Sequence, residues 1–454
     1  MGSALSYISF PYIILLLINV FILFLNTISP ILSLSIFLIF LLVALSIKNI
    51  FFALCLWILC HTQIFNSTQS IEPGEIMFLF LTLLIFISWL YKNYINKKTI
   101  FNNFSDYSLG IFFILVLLSL IPALLYQNNL FKWFRELFPL FTYLFYFIFK
   151  DEVVSNERRN IVLSCFLFLV LYSGIQNIIN YQNLISNLSY VWEIQESRQA
   201  ANEPLFFFTL IISSSFFMFL KSKLHRLACI FLIFFSTASL LITFSRGYWV
   251  GALIAILILF SILDSQRKIN MLAYITSMVI PFLILAYYYL GDLSVLFYDI
   301  FLSRLMTISD VFNDISFVNR LEEAKKVFSL YIMNPFMGYG LGSTYSFHNI
   351  ILEKSVETWY VHNAFLYILY KIGFFGLISF LLFYYSIIKT AYENYISQYD
   401  NFNSSISLGT FCCFLGMIPL SFSSPQYIQS NSILFIILTS AMMGNISSNK
   451  IGLK

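Results

Sequence analysis

The feature that most constrains this fold is a series of long apolar segments separated by short polar ones. A helix needs about 20 mostly apolar residues to cross a bilayer, and only 10% of the 454 residues are charged, against about 25% in soluble domains. Fourteen segments are candidate spans, at 7–26, 30–47, 50–65, 75–92, 107–126, 130–149, 160–180, 204–220, 226–244, 247–264, 269–290, 362–388, 405–423 and 430–447. The sequence therefore predicts an all-α polytopic membrane protein of 12 to 14 transmembrane helices, with residues 1–454 forming a single integral membrane domain.

The distribution of lysine and arginine predicts the orientation of these spans. If the N-terminus is cytoplasmic, every inner connection carries at least one basic residue, and the inner connections hold fifteen of the 25. Cytoplasmic loops are rich in lysine and arginine, so we expect both termini in the cytoplasm. Two long loops, 181–203 and 291–361, then lie on the outer side. The first apolar segment lacks a signal cleavage site and is expected to be retained.

The composition gives no indication of nucleic-acid binding, metal binding or a cofactor. The chain has no basic run and no soluble domain that could bind a nucleic acid. Its six cysteines lie inside apolar segments without metal-type or disulfide spacing, and we interpret them as small buried apolar residues. The aspartates of the long outer loop are scattered. We therefore expect no metal and no cofactor.

Arg246 interrupts two apolar segments, in the stretch Ser245–Gly247. A charged group at membrane depth is costly and usually marks a functional site. A guanidinium matches phosphate oxygens bidentately and stays protonated, so Arg246 is a candidate anion-binding residue. The alternative is an interfacial arginine that extends its side chain to the lipid headgroups.

Ten basic residues break the orientation rule, because they lie in outer segments or near the outer ends of spans. They are Lys132, Arg135, Arg198, Arg246, Arg304, Arg320, Lys325, Lys326, Lys354 and Lys371. Anion binding would explain their placement, and Arg135 and Arg198 are candidate helpers of Arg246 and Arg320. For Arg304, a solvated or ion-paired loop arginine is the preferred interpretation, and for Arg320 that alternative stays open.

Residues 317–333 predict an amphipathic helix within the long outer loop, lying in the membrane interface. Its expected apolar face contains Val318, Leu321, Ala324, Val327, Phe328 and Tyr331, and its expected polar face contains Glu322, Glu323, Lys325 and Lys326. Arg320 near its start opposes the helix dipole, and a bound phosphate would remove that conflict. Asn334 and Pro335 end the helix. Gly338, Gly340 and Gly342 follow, and their backbone N–H groups could approach a ligand.

His348 and His362 are the histidines expected on the outer side. His362, followed by Asn363, begins the twelfth candidate span. A neutral imidazole can accept a proton from a sugar hydroxyl or hold that hydroxyl by a hydrogen bond. The alternative is an interfacial ring with a polar tip, which is the preferred interpretation for His348.

Together these motifs resemble the O-antigen ligase and Wzy-type O-antigen polymerase superfamily of bacterial membrane glycosyltransferases. The resemblance lies in Thr243–Gly251, Asn319–Ala324, Asn334–Gly342 and Val361–Leu366, followed by Gly373 and Gly376. It implies a GT-C-like fold and metal-independent transfer of a glycan from an undecaprenyl pyrophosphate donor. It also implies that Arg246 and Arg320 bind the pyrophosphate and that His362 acts at the acceptor hydroxyl. Lys371 departs from the family, whose members often carry an acidic residue there.

The predicted site therefore combines catalytic His362, Arg246 and Arg320 with substrate-binding residues, namely Arg135, Arg198, Gly338, Gly340 and Asn363. Chain length and span number favour a repeat-unit polymerase for O-antigen, capsule or exopolysaccharide in the bacterial inner membrane, with its active site periplasmic. A ligase that transfers glycan to lipid A-core remains open. Expected partners are the lipid-linked donor, the acceptor glycan and membrane lipids, and a chain-length regulator is a candidate.

A transporter, such as a flippase of lipid-linked oligosaccharides, is the alternative of another class. A flippase should place its cations along a cavity that is reachable from both sides of the membrane. Here they gather on one side, and we expect neither an inverted repeat nor a pair of broken helices, which are found in many transporters.

Overall fold

The computed structural model describes residues 48–64, 73–186, 202–273, 276, 314–397 and 401–451. The candidate spans at 7–26 and 30–47, and most of the span at 269–290, lie outside these residues. So do Arg198 and Arg304. The chain forms two compact units, which are described separately below.

The first unit contains most of α1 (Ile50–Ile64) and all of α2 (Pro73–Ile95). Trp57 joins the two helices: its ring stacks on Phe78 at a centroid distance of 5.6 Å. Its indole N–H donates to Thr82 Oγ1 at 3.0 Å, which satisfies a buried polar group between two apolar helices.

The second unit includes residues 99–454 and carries the rest of the secondary structure. Its helices are α3 (Phe104–Leu118), α4 (Leu120–Leu125), α5 (Leu130–Phe141), α6 (Phe145–Glu152), α7 (Asn156–Ser186), α8 (Glu203–Phe219), α9 (Lys223–Ile242), α10 (Arg246–Ile262), α11 (Ile315–Met333), α12 (Ala364–Ile372), α13 (Phe374–Ile396), α14 (Asn401–Ser421) and α15 (Ser430–Ile451). Its two strands are β1 (Tyr345–Asn349) and β2 (Lys354–Thr358).

Six helical segments of the described chain are long and apolar enough to cross a membrane. They are Glu75–Ile95, Phe104–Leu125, Asn156–Asn183, Lys223–Ile242, Phe374–Ile396 and Asn401–Ser421. Shorter apolar helices lie at Ile50–His61, Glu203–Phe219, Arg246–Ile262 and Asn431–Met443. The protein is thus a mostly helical multi-pass membrane protein, as predicted, while the total of fourteen spans remains a prediction.

Helix α14 is the most buried of these segments and packs against α8, α10 and α13. Glycines let α10 and α14 approach closely, since a methyl group at Gly251 would lie 3.0 Å from the carbonyl oxygen of Gly416. Small residues serve this purpose at helix interfaces in membranes. One turn earlier in α10, a methyl group at Gly247 would lie 3.3 Å from Ser423 Oγ. This packing places the beginning of α10 beside the segment that follows α14.

Two candidate spans are interrupted, so the expectation of no pair of broken helices was wrong. The segment 130–149 divides into α5, a 3₁₀ turn at Thr142–Leu144 and α6, with Pro139 inside α5. Proline lacks an N–H donor and disturbs a helix. The segment 362–388 divides at Gly373, whose φ of 87° lies outside the helical region. The long apolar helix therefore begins at Phe374 and ends at Ile396.

The loop 291–361 contains a β-hairpin, although the sequence predicted an all-α chain. Tyr345 pairs with Thr358 and Asn349 with Lys354 in antiparallel register. Tyr345 and Phe347 are buried, whereas Ser346 and His348 are exposed, as expected for a strand with one covered face. Strand β1 packs against α11, which occupies Ile315–Met333 where the sequence predicted a helix over 317–333.

The glycine-rich loop that follows α11 is inserted against the end of α3 and the beginning of α4. Gly340 has a φ of +81°, and a methyl group on it would lie 2.6 Å from the carbonyl oxygen of Ser119 and 2.5 Å from the amide nitrogen of Ala123. Asn128 holds the same loop, because its side-chain amide donates to the carbonyl oxygens of Tyr339 and Leu341 at 2.8 and 3.1 Å.

We expect Gly340→Ala to destabilise the protein. The left-handed backbone alone costs an L-residue about 1–2 kcal/mol, and the added methyl group would also contact the backbone of α3 and α4. The melting temperature in detergent should fall by several degrees relative to wild type. Ser346→Ala, on the exposed face of β1, should leave it unchanged, and equal melting temperatures for the two variants would contradict the prediction.

Candidate functional site

Glu323 is the buried carboxylate around which the candidate site is built. Its side chain is only 2% exposed. One carboxylate oxygen, Oε1, accepts from the backbone N–H of His362 at 3.1 Å and lies 2.6 Å from the hydroxyl of Tyr345. The other, Oε2, lies 2.5 Å from His362 Nδ1. The carboxylate thus joins α11, β1 and the residues that lead into α12, and it has the hydrogen-bond partners that a buried charge requires.

The buried face of α11 differs from the predicted one. Asn319, Glu323 and Val327 are its buried residues, whereas Leu321 and Phe328 are 40% and 49% exposed. The sequence placed Glu323 on the polar, outward face because a carboxylate is rarely buried. Instead the side chain of Glu323 is buried on the face of α11 that packs against β1. Asn319, one turn earlier, accepts from the backbone N–H of Ile350 at 2.9 Å, so two polar side chains attach α11 to the hairpin loop.

His362 lies immediately before α12, with 38% of its side chain exposed. Nδ1 faces Glu323, and the ring of Tyr360 contacts the imidazole edge-to-face at a centroid distance of 5.0 Å. Asn363 is the N-cap of α12: its Oδ1 accepts from the backbone N–H groups of Phe365 and Leu366 at 3.0 Å each. That cap satisfies donors of the first helical turn and holds the residue that precedes it in place.

Arg246 is the first residue of α10 and forms an ion pair with Asp314. Its Nη1 lies 2.5 Å from Asp314 Oδ2, and both side chains are partly exposed. Asp314 is the N-cap of α11, because its Oδ1 accepts from the Ser316 N–H at 3.0 Å. A cation at the beginning of α10 opposes the helix dipole, so an anion is favoured there. In this structure the carboxylate of Asp314 occupies that position.

Arg320 lies one turn into α11, because the helix begins at Ile315. The dipole conflict predicted for Arg320 at the helix start is therefore reduced, since the effect is strongest in the first turn. Its Nη1 donates to the carbonyl oxygen of Ser423 at 3.0 Å.

Three helices that carry or follow candidate site residues, α10, α11 and α12, contact residues 421–429. Gly247 of α10 packs against Ser423, and Arg320 of α11 donates to the same residue. Phe365 of α12 contacts the ring of Phe422 at a centroid distance of 5.0 Å. Arg246, Arg320 and His362, which are separated by as many as 116 positions in the sequence, are therefore placed around one segment.

Tyr360 connects the arginine and histidine parts of this site. Burial raises the pKa of its hydroxyl to about 12, and neighbouring Arg320 lowers it while Glu323 and Glu203 raise it. Its side chain is also hydrogen-bonded to Gln429. Burial, followed by the adjacent carboxylate of Glu323, raises the pKa of Tyr345 as well. Both phenols stay protonated near neutral pH and serve as hydrogen-bond donors.

The N–H groups of the glycines in the loop after α11 are hydrogen-bonded within the protein. The N–H of Gly338 donates to the carbonyl oxygen of Asn334 at 3.1 Å. The N–H of Gly340 donates to the carbonyl oxygen of Lys371 at 2.9 Å. The N–H of Gly342 donates to Glu136 Oε2 at 2.5 Å. These bonds attach the loop to α12 and α5, and a role of Gly338 and Gly340 in substrate binding remains a prediction.

Lys371 and Glu136 form a second buried charged pair. Lys371 Nζ lies 3.0 Å from Glu136 Oε1, with side-chain exposures of 0% and 2%. Lys371 also donates to the Ser343 carbonyl oxygen at 2.6 Å. Since Glu136 accepts from Gly342 as well, the pair fixes α12 and the glycine loop to α5. The basic residue at 371, which departs from the family pattern, thus has its acidic partner on another helix.

The remaining candidates have less defined roles. Arg135 is half-buried on α5, next to Glu136 in the sequence, and its part in anion binding remains a prediction. His348 lies on the exposed face of β1. Among the described residues, no three His, Cys, Asp or Glu side chains are arranged to hold a metal ion.

A comparison with protein families finds that the O-antigen ligase family matches residues 231–381. This segment is therefore similar to an O-antigen ligase domain. This domain contains Arg246, Arg320, His362 and also Glu323, and it confirms the resemblance to the O-antigen ligase and Wzy superfamily. A search of curated proteins finds no match to the chain. The residues outside the domain, including α5 and α14, complete the packing around it.

We expect Lys371→Met to destabilise the protein by about 3–5 kcal/mol, because it leaves the buried carboxylate of Glu136 without its cation. Adding Glu136→Gln should recover much of that loss, since an amide still accepts from Gly342 but carries no charge. Thermal unfolding of the two single variants and the double variant in detergent measures the coupling. A double variant whose loss equals the sum of the single losses would contradict the ion pair.

Proposed function

We propose that this protein transfers a glycan from an undecaprenyl pyrophosphate-linked donor to a sugar hydroxyl, at the outer face of the bacterial inner membrane. The observation that supports this most is the convergence of Arg246, Arg320 and His362 on residues 421–429. That segment is a predicted outer connection without lysine or arginine. The O-antigen ligase domain supports a glycan-transfer reaction in general.

The two arginines would bind the pyrophosphate of the donor. Arg246 now pairs with the carboxylate of Asp314, so a phosphate would take the place of that carboxylate beside the guanidinium. Arg320 is half-buried nearby on α11. Both stay protonated and can form charge-assisted hydrogen bonds to phosphate oxygens. They would stabilise the negative charge that develops on the leaving group without a metal ion.

His362 would accept the proton of the acceptor. The acceptor oxygen forms a bond to the anomeric carbon, and the bond from that carbon to the pyrophosphate oxygen breaks. The lipid pyrophosphate leaves with the electron pair, and the hydroxyl proton passes to the imidazole and later to water. A positioned base typically contributes about 10²–10⁴-fold to such a step.

A repeat-unit polymerase and a ligase both fit this site, because they share the donor and differ in the acceptor. Chain length and the predicted span number favour the polymerase, with a lipid-linked repeat unit as acceptor. The family matched here is described as O-antigen ligase, which favours lipid A-core as the second candidate acceptor. A flippase of lipid-linked oligosaccharides would not require a histidine held beside a buried carboxylate.

Arg246→Ala should abolish polysaccharide assembly in a deletion strain, because loss of one charge-stabilising donor costs about 10²–10³-fold in rate. The measurement is the surface glycan profile of strains complemented with wild type or variant at equal expression. Core capped by a single repeat unit indicates a polymerase, and bare core with lipid-linked polymer outside indicates a ligase.

Arg267→Ala is the matched control for this experiment, since Arg267 also pairs with an aspartate, Asp264, at 3.4 Å. It lies in a predicted inner connection and should support a normal profile. Normal glycan from Arg246→Ala would contradict the proposed donor site. Accumulation of donor on the cytoplasmic side of the deletion strain would favour the flippase.

His362→Ala should separate donor binding from transfer. We expect a purified variant to bind an undecaprenyl pyrophosphate-linked oligosaccharide with the affinity of wild type, while its turnover falls by about 10²–10⁴-fold. Equilibrium binding and a single-turnover assay on the same preparation measure the two quantities. A loss of donor affinity equal to the loss of turnover would place His362 at the donor instead of the acceptor.

A further inference from the structure

We infer that Glu323 is a positioning residue for His362: it fixes the imidazole tautomer that carries hydrogen on Nδ1 and leaves Nε2 as the base. This inference rests on the proposed function, in which His362 takes the proton of the acceptor hydroxyl. It goes beyond that function because it assigns a role to a carboxylate on a different element, 39 positions earlier in the chain.

The tautomer follows from the chemistry of the two groups. An ionised carboxylate has acceptor atoms only, so a ring nitrogen 2.5 Å from Glu323 Oε2 must carry the hydrogen that joins them. A neutral imidazole has one N–H and one lone pair. If Nδ1 holds the hydrogen, Nε2 holds the lone pair, and only Nε2 can then accept a proton from an acceptor sugar.

The carboxylate is held so that it cannot turn away from the ring. Its Oε1 accepts from the backbone N–H of His362 and lies 2.6 Å from the hydroxyl of Tyr345. That hydroxyl also lies 2.7 Å from the carbonyl oxygen of Tyr360, so its single proton can be donated to either oxygen. With 2% of its side chain exposed, Glu323 has little room for another rotamer.

The same pair would stabilise the protonated histidine. When the acceptor hydroxyl gives its proton to Nε2, the ring becomes an imidazolium with the Glu323 carboxylate against its Nδ1–H. An acidic residue in this position is what orients the histidine of a serine protease triad. Among the described residues, Tyr345 on β1 and Tyr360 beside the ring contact this pair. The charges of Arg320 and Glu203 act on the neighbouring Tyr360 hydroxyl.

Glu323→Gln is the decisive variant because the backbone N–H of His362 can only donate. This N–H requires an acceptor, so the amide oxygen of the glutamine would take the Oε1 position, and the amide nitrogen would then face Nδ1. Nδ1 would then have to accept, and the hydrogen of the neutral ring would move to Nε2. In a serine protease triad the corresponding Asp-to-Asn change lowers kcat about 10⁴-fold. We expect Glu323→Gln to lower turnover by about 10²–10⁴-fold while donor affinity stays at the wild-type value.

Two further variants control for the substitution. Glu322→Gln changes the neighbouring carboxylate, which is 43% exposed and pairs with Lys325, and should leave turnover unchanged. Glu323→Asp keeps a carboxylate and should retain more activity than Glu323→Gln, because it can still accept from Nδ1. Turnover of Glu323→Gln within about threefold of wild type would overturn the inference.

A spectroscopic measurement tests the tautomer directly and needs no glycan transfer. In protein labelled with ¹⁵N-histidine, the signals of His362 are those missing from His362→Ala. We expect the Nδ1–H tautomer in wild type and the Nε2–H tautomer in Glu323→Gln, and an Nε2–H tautomer in wild type would overturn the inference. An active His362→Ala would overturn the proposed function, whereas an inactive His362→Ala beside an active Glu323→Gln would overturn only the inference.

Discussion

The candidate site depends on a buried carboxylate that must be fully hydrogen-bonded. Burying a charge without partners is expensive, and Glu323 finds its partners on two separate segments: Tyr345 of the hairpin, and His362 before α12, which contributes both its backbone N–H and its ring. These partners can meet only if α11 lies with its Glu323 face against β1. The position of α11 in turn places Arg320 beside Ser423 and Asp314 beside Arg246. The need to hydrogen-bond the buried Glu323 carboxylate therefore fixes the position of α11, which lies beside most of the proposed site residues.

A second buried pair performs the corresponding task on the supporting side. Lys371 and Glu136 join α12, α5 and the glycine loop where these elements break the continuity of two apolar segments. Backbone groups of a buried loop must be hydrogen-bonded, and the N–H of Gly342 and the carbonyl oxygen of Ser343 use this pair for that purpose. Such pairs rarely add stability compared with apolar packing. The contribution of this pair is to fix α12, α5 and the glycine loop in one arrangement.

Much of the fold and part of the site could be predicted from the sequence. Helices at Phe104–Leu125, Lys223–Ile242 and Asn401–Ser421 follow from length and hydropathy, since a spanning helix needs little else. Arg246 and His362 became candidates because they lie beside apolar segments, and Arg320 because a cation near a helix start opposes the dipole; the roles of all three stay predictions. The helix over 317–333 was recognised from its periodicity.

The rest depended on tertiary contacts that no local pattern records. The breaks at Gly373 and after Pro139 interrupt segments whose hydropathy is continuous. Glu323 was placed on the solvent side because an amphipathic pattern equates polar with exposed, whereas its partners come from Tyr345 and His362. The partners of the Gly340 and Gly342 N–H groups could not be predicted from the sequence either, because Lys371 and Glu136 lie on other helices.

The most direct test of this account is an experimental structure of the protein with undecaprenyl pyrophosphate bound. The account predicts phosphate oxygens within hydrogen-bond distance of the guanidinium groups of Arg246 and Arg320, with the ion pair between Arg246 and Asp314 opened. The imidazole of His362 should remain hydrogen-bonded to Glu323. Its Nε2 should face the terminal phosphate, which carries the sugar in the intact donor. A pyrophosphate bound away from both arginines, with Arg246 still on Asp314, would contradict the assignment of this site.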